Sequence, residues 1–326
     1  MHSNSPQSTP ERSLARKSGL PMRQWLSRRR FLGQSAATLA VGWASTASAE
    51  DGEFESGSID LRPGQQVKET GPRIVRVSVE LPNLPPQMDG FRIAQISDLH
   101  LEPYTTARQI ARVVRLCNSL QPDLVAMTGD FVTYNARPAG KLAEILSELK
   151  APHGVYASLG NHDFQSGHEN VVYALEQKGM PVLRNVCRAI HTDKGVLHLA
   201  GMDSRYVSSP HLRSTLDSWR ENQPLVMMMH EPDVADDLAE AKVHALQLSG
   251  HTHGGQVRFM GLQPSIHRRA KWGKKYLAGA YNVGTVRLYV NRGIGTVGVP
   301  LRVQCPPEVT EITLRSPELR RALAKV

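Results

Sequence analysis

Apolar positions along the chain fall into short runs of two periods. Residues 74–81 alternate apolar and polar side chains, the mark of a half-exposed strand. Runs at 91–96, 123–127, 154–159, 225–229, 286–290 and 309–314 predict further strands, as does the run that ends at His251. The runs at 182–186 and 196–200 are strand-like too. Between them lie helical periods. One starts at a Thr105 or Thr106 cap, carries Ile110, Val113, Val114, Cys117 and Leu120 on one face, and stops at Pro122. A second opens at Pro138, with Leu142, Ile145, Leu146 and Leu149 at helical spacing. Others are expected around 170–178 and over 232–241. Residues 82–90 read as a Pro-rich connection and 256–285 as a long Gly- and Lys-rich loop, and no repeat is visible. Strands alternating with helices make this an α/β chain.

The 326 residues leave room for a large core, and 40% hydrophobic with 21% charged residues is ordinary for a globular protein. The net charge of +9 suggests a nucleic-acid or membrane partner until it is located. Residues 1–49 hold seven Lys/Arg and one acid; the remainder holds 39 − 7 = 32 basic and 30 − 1 = 29 acidic side chains, a net +3. A body with that balance does not call for nucleic acid. Cys117, Cys187 and Cys305 stand far apart without metal-like spacing and are expected to be buried free thiols.

The charge sits in a leader. Ser27-Arg28-Arg29-Arg30-Phe31-Leu32 precedes a weakly apolar stretch and the triplet Ala47-Ser48-Ala49, which together read as a basic region, a short hydrophobic region and a cleavage site. The stretch is too short and interrupted to span a membrane. The paired arginines resemble a twin-arginine export signal, which implies the Tat machinery as a partner and a periplasmic or cell-envelope location; a basic amphipathic tail is the alternative. The expected organisation is a leader over 1–49, a polar linker over 50–70 and one domain over 71–326.

Each of five apolar strands ends in Asp, His or Asn beside Gly or Pro: Asp98-Leu99-His100, Gly129-Asp130, Gly160-Asn161-His162-Asp163, His230-Glu231-Pro232 and Gly250-His251-Thr252-His253. Sites in open α/β sheets lie outside the carboxyl ends of the strands, so the five clusters are expected to meet at one edge. On an extended backbone, residues i and i+2 share a face, which would aim His251 and His253 at one small volume. The stretch Gly250-His251-Thr252-His253-Gly254-Gly255 alone is equally a polar turn.

In order and content the clusters resemble the calcineurin-like metallophosphoesterases, and with the leader the YkuE/YaeI-type branch of exported phosphodiesterases. The resemblance implies a four-layer α/β/β/α sandwich and a phosphodiester or phosphomonoester substrate, attacked outside the cytoplasm by hydroxide bridging two divalent ions. Asp98, His100 and His253 would hold the first ion, Asn161, His230 and His251 the second, and Asp130 both. Only a carboxylate among these offers an oxygen to each of two cations. Four His, two Asp and one Asn without thiolate suit Mn, Fe or Zn, with Mn the first choice. The resemblance makes His162 the catalytic side chain that protonates the leaving alkoxide, a task suited to imidazole. Asp163 would support the ligands from behind, and Arg292, in Asn291-Arg292-Gly293, either contacts substrate or belongs to a structural turn.

One position departs from the protein-phosphatase members, which carry an Asp three residues after the bridging Asp to orient the catalytic His; here it is Thr133. That speaks against a protein phosphatase and leaves the orientation of His162 to another group. The seven histidines His153, His168, His191, His198, His211, His244 and His267 match no motif. The basic run 267–275 is either a phosphate grip or a solvated loop. Two alternatives share the ligands. One is a UDP-2,3-diacylglucosamine pyrophosphatase-like enzyme of lipid A synthesis, which an export leader disfavours. The other is a non-enzymatic metal-binding protein, which the presence of His162 disfavours.

Overall fold

The computed structural model describes residues 71–206, 212–258 and 273–323. The leader, the linker and most of the basic run 267–275 lie outside the described residues, as do His211 and His267. By internal contacts the chain divides into Met1–Gln65 and Gln66–Val326, and everything described belongs to the second unit.

Two sheets form its centre. The first contains β1 (Arg73–Glu80), β11 (Glu308–Arg315), β2 (Arg92–Ile96), β3 (Leu124–Thr128) and β4 (Val155–Ser158), in that spatial order. β2, β3 and β4 run parallel, while β11 enters between β1 and β2, parallel to the former and antiparallel to the latter. The second sheet has the order β5 (Val186–Thr192), β6 (Gly195–Gly201), β7 (Leu225–Met228), β8 (Ala245–Ser249), β10 (Val286–Val290), β9 (Gly279–Val283). Its inner four strands are parallel and its edges antiparallel.

The alternation of side chains along each strand builds three apolar layers. Ala94, Ile96, Val125 and Met127 face α1 (Ala107–Ser119), α2 (Ala139–Leu146) and α4 (His168–Glu176). Their neighbours Ile93, Leu124 and Ala126 face inward and meet Val226, Met228, Leu246 and Leu248 of the second sheet. On that sheet's far side, Leu225, Met227 and Ala245 pack on Val234, Ala235 and Leu238 of α6 (Val234–Glu240). Helices, sheet, sheet and helices thus stack in four layers, as the family resemblance implies. Leu225, Val226, Met227, Met228 and Met229 are all fully buried because both faces of their strand are covered. No helix among the described residues is long and apolar enough to cross a membrane.

Local chemistry explains the element ends. Thr106 caps α1 in a reciprocal box with Gln109, which contributes about 1 kcal/mol. The expected strand at 182–186 is instead one bridge from Val182 to Ala157, and the strand proper begins at Val186. Asn185 intervenes at φ 52°, its amide tied to Asp203. The loop expected over 256–285 ends in an edge strand, β9, whose largely open face gives little pattern to read. The cluster that ends the third parallel strand, Asn161-His162-Asp163, opens a six-residue helix, α3 (Asn161–Ser166), too short and polar for periodicity to show. Further short helices among the described residues are α5 (Leu212–Thr215) and α7 (Pro317–Leu323).

Candidate metal centre

The carboxyl ends of β2, β3 and β4 in one sheet and of β7 and β8 in the other meet at one edge, and cross-bonds seam them together. Buried Gln95 donates to Thr128 Oγ1 at 3.1 Å and across the gap to the Ser249 carbonyl at 2.9 Å. The His230 ring reaches the Thr128 carbonyl, and the His251 amide donates to both Asp98 oxygens at 3.1 Å.

Side chains converge by a route different from the one expected. His251 and His253 are not extended: both lie in the left-handed region, at φ 72° and 50°, and His253 opens a 3-10 turn. Asp98, His100 and Asp130 are left-handed too, at φ 51°, 46° and 57°. Each such residue costs about 1 kcal/mol or more, so the five together hold on the order of 5 kcal/mol of backbone strain. The motif glycines serve close approach. A Cβ on Gly160 would stand 2.2 Å from Asp130 Oδ1, and one on Gly250 would stand 2.3 Å from Asp98 Oδ2 and 1.9 Å from Ser97 Oγ.

All seven expected ligands gather here. His100 Nε2 and His253 Nε2 are 3.1 Å apart, with Asp98 Oδ1 3.3 Å from the second and Asp130 Oδ2 3.4 Å from the first. These four donors form a buried cluster able to hold an ion. Beside it, His230 Nε2 lies 3.1 Å from the same Asp130 Oδ2, and His251 Nδ1 lies 3.0 Å from Asn161 Oδ1. Ligand atoms about 2.1 Å from one ion at tetrahedral or octahedral angles stand roughly 3.0–3.4 Å from each other, so the first group has the spacing of a coordination shell, and each of the two pairs beside it is spaced as neighbouring ligands are.

The protons argue the same way. A carbonyl only accepts, so the 2.7 Å contact to Thr128 places a hydrogen on His230 Nδ1. A neutral His230 then aims a bare, buried Nε2 at a bare carboxylate oxygen, and that atom has no hydrogen-bond partner. Only a cation or an added proton relieves this. Without a cation, burial pushes His230 down, but Asp130 and Asp98 beside it more than compensate and hold it well above the usual imidazole range. Asp130 is held well below the carboxylate range: burial opposes this, and His230 and His162 outweigh it. Burial, with Asp130 second among its causes to raise it, lifts Asp98. Burial and then the His100 and Arg302 charges depress His253.

His162 lies at the start of α3, half-buried, its amide donating to Asp130 Oδ1 at 2.9 Å and its ring edge-on to His100 at 4.9 Å. Its Nδ1 donates to the Thr133 carbonyl at 2.9 Å, so the main chain performs the orienting that an acid performs elsewhere. The Thr133 hydroxyl meets His100 Nδ1 at 3.3 Å and leaves His100 Nε2 free for the cluster. Asp163 accepts from the amides of Gly160, Asp130, Phe131 and Val132 and ties the Asp130 loop to α3. Arg292 pairs with Glu308, and Asn291 closes an Asx turn on the Gly293 amide at 2.7 Å, the structural role foreseen as one option for this segment.

Sequence reasoning did not find Arg302. It donates to the carbonyls of Gly295, Arg292, His253 and Cys305 and faces His253 Nδ1 at 3.3 Å, holding the His253 turn from about fifty residues away. No local pattern marks it. Of the histidines outside the motifs, His153 stacks on Phe91, His168 packs at a tilt against Phe164, and His198 is buried.

The chain is similar to known proteins across this span. A family model described as Calcineurin-like phosphoesterase matches residues 91–255, the span from β2 to the His253 turn. The chain is 34% identical over 298 residues to the metallophosphoesterase YkuE of Bacillus subtilis (strain 168), across 89% of this chain and 98% of that one. It is 28% identical over 258 residues to a Danio rerio transmembrane protein with a metallophosphoesterase domain, across 75% of this chain and 57% of that protein. Among solved structures, TT1561 of Thermus thermophilus aligns at a TM-score of 0.43 and 13% identity, over 63% of this chain and 90% of that one. With its matched span enclosing every ligand cluster, the chain belongs to the calcineurin-like phosphoesterase family.

Proposed function

We propose that this chain is a two-metal phosphoester hydrolase, acting on diesters in preference to monoesters and protein phosphates, and exported by the twin-arginine route. The observation that carries the reading is Asp130 Oδ2, which faces His100 Nε2 at 3.4 Å and His230 Nε2 at 3.1 Å from two adjoining ligand groups. Asp98, His100 and His253 would hold one ion, and Asn161, His230 and His251 the other, with Asp130 shared. Mn, Fe or Zn bound there supplies Lewis acidity to a phosphoryl group and lowers the pKa of water.

The chain's own groups do the rest. Asp163 and the seam between the sheets fix the ligands before substrate arrives, so little reorganisation is needed. His162, with Nδ1–H committed to Thr133, presents Nε2 as the atom that holds and delivers a proton to the departing oxygen. The preference for diesters is supported by Arg292 and Arg302, which are committed to Glu308 and to main-chain carbonyls. A dianionic monoester gains more from free guanidinium groups than a monoanionic diester does. Export is supported by Ser27–Leu32 and the Ala47-Ser48-Ala49 triplet.

The test is metal analysis of the folded protein together with hydrolysis of bis-p-nitrophenyl and p-nitrophenyl phosphate. Two ions per chain and a higher kcat/KM on the diester are expected; a single ion, or no hydrolysis of either ester, overturns the reading. Replacing Arg28 and Arg29 by Lys is expected to retain the protein in the cytoplasm, and unchanged export removes that part.

A further inference from the structure

The segment 293–301, Gly-Ile-Gly-Thr-Val-Gly-Val-Pro-Leu, contains no charged residue. Its root is part of the metal centre. The Ile294 amide donates to the Ser97 carbonyl at 3.0 Å and the Gly295 amide to the Asp98 carbonyl at 2.7 Å. A Cβ on Gly295 would stand 2.9 Å from His100 Cβ, so the segment leaves the fold directly against two expected ligands. Its far end points into water: Val299 is 43% and Leu301 53% exposed, with Pro300 exposed between them.

This apolar tip is held rigidly. Buried Gln256 grips it with three hydrogen bonds, from Nε2 to the Val297 and Val299 carbonyls at 3.0 and 2.9 Å and from the Val297 amide to Oε1 at 2.9 Å. Arg302 closes the base through Gly295 and Arg292. A braced loop that displays Val-Pro-Leu to solvent forgoes hydrophobic burial.

We propose that residues 296–301 are a membrane-contact tip and that the phosphoester this chain hydrolyses is presented at a lipid surface. The proposal rests on the hydrolase reading above. Three apolar side chains fall far short of the roughly 1,200 Å² that a stable protein interface buries. The root of the tip lies against Asp98 and His100, so whatever covers the tip must leave the neighbouring centre open to a phosphoryl group. A bilayer satisfies both conditions. An apolar tip inserts about 5–10 Å into the boundary between headgroups and acyl chains, which brings headgroup phosphates to the level of the loop's root. Hydrolysis there adds water across one P–O bond of a lipid phosphodiester: the water oxygen bonds to phosphorus, and the alcohol leaves with a proton.

The experiment compares the metal-loaded full chain with its Val299→Asp/Leu301→Asp and Val299→Ser/Leu301→Ser variants. It measures flotation with vesicles of mixed phosphatidylcholine and phosphatidylglycerol, and hydrolysis of phosphatidylglycerol in those vesicles relative to soluble bis-p-nitrophenyl phosphate. Both double variants are expected to bind vesicles more weakly, by on the order of tenfold for a buried Leu and Val made polar. The lipid-to-soluble rate ratio is expected to fall with binding, and Leu301→Trp to raise binding. Equal flotation of wild type and variants overturns the proposal. So does a wild-type dimer that the variants dissociate without any vesicle binding, which would make the tip a subunit contact. A flotation difference in a protein that hydrolyses neither ester would count against the hydrolase reading and leave the tip in place.

Discussion

His162 donates from Nδ1 to the main-chain carbonyl of Thr133 at 2.9 Å, and this one bond decides which nitrogen of the ring is available to the leaving group. His162→Ala is therefore expected to keep its metal content while losing on the order of 100-fold or more in kcat on an alkyl phosphodiester. The loss is expected to be smaller on a p-nitrophenyl ester, whose leaving group departs without a proton. Equal losses on both esters would assign the ring a role other than proton delivery.

Gly160 is small because Asp130 needs the space. Gly160→Ala places a Cβ 2.2 Å from Asp130 Oδ1 and 2.6 Å from its amide. The expected result is a destabilisation of about 1–3 kcal/mol and reduced metal stoichiometry, read by thermal melting and metal analysis. Gly140→Ala is the control. It adds a Cβ with nothing within 4 Å, inside a helix, and is expected to be neutral or stabilising by up to about 1 kcal/mol.

In metal-free protein, His230 and His253 are expected to make stability depend on pH with opposite signs. His230 is raised above the unfolded value of about 6.5, so its contribution is complete below that pH and fades as pH rises through the raised value. His253 is depressed, so it favours the fold above about pH 6.5 and costs stability as pH falls below it. A bound cation takes the place of the His230 proton. Thermal melts from pH 5 to 9, with chelator and with Mn²⁺, are expected to diverge on the alkaline side. Parallel curves would separate these groups from metal binding.

The thiols are expected to be inert. Burial pushes Cys117 up to about 12 and Cys187 up to about 11, and Cys305 is fully buried beneath the His253 turn. A thiol reagent at pH 8 is expected to leave native protein unlabelled and to modify three cysteines per chain in denaturant. Rapid labelling of the native chain would contradict the packing of these residues.

The chemistry of the site was legible because it lies in side-chain identity at strand ends. Asp98, His100, Asp130, Asn161, His230, His251 and His253 all stand where the order of the clusters places them. The geometry that joins them was not legible. The pairs Asp98/His100 and His251/His253 meet through left-handed turns, a conformation uncommon for any residue but glycine and one that no local pattern announces. Thr133 reads as a missing acid, yet the atom that matters is its carbonyl, which every residue has. Arg302 and Gln256 act on the site through contacts set only when the chain has folded. The edge strands β5 and β9 bury little on their open faces, so their apolar pattern is thin.

Five of the seven expected ligands share a backbone conformation that their side chains do not favour. The strain measures what the centre withholds from the fold. It also makes the site visible to a reader blind to side chains. A trace of main-chain torsions, searched for clustered left-handed residues at the carboxyl ends of parallel strands, would locate this centre in a relative whose ligands had all been replaced.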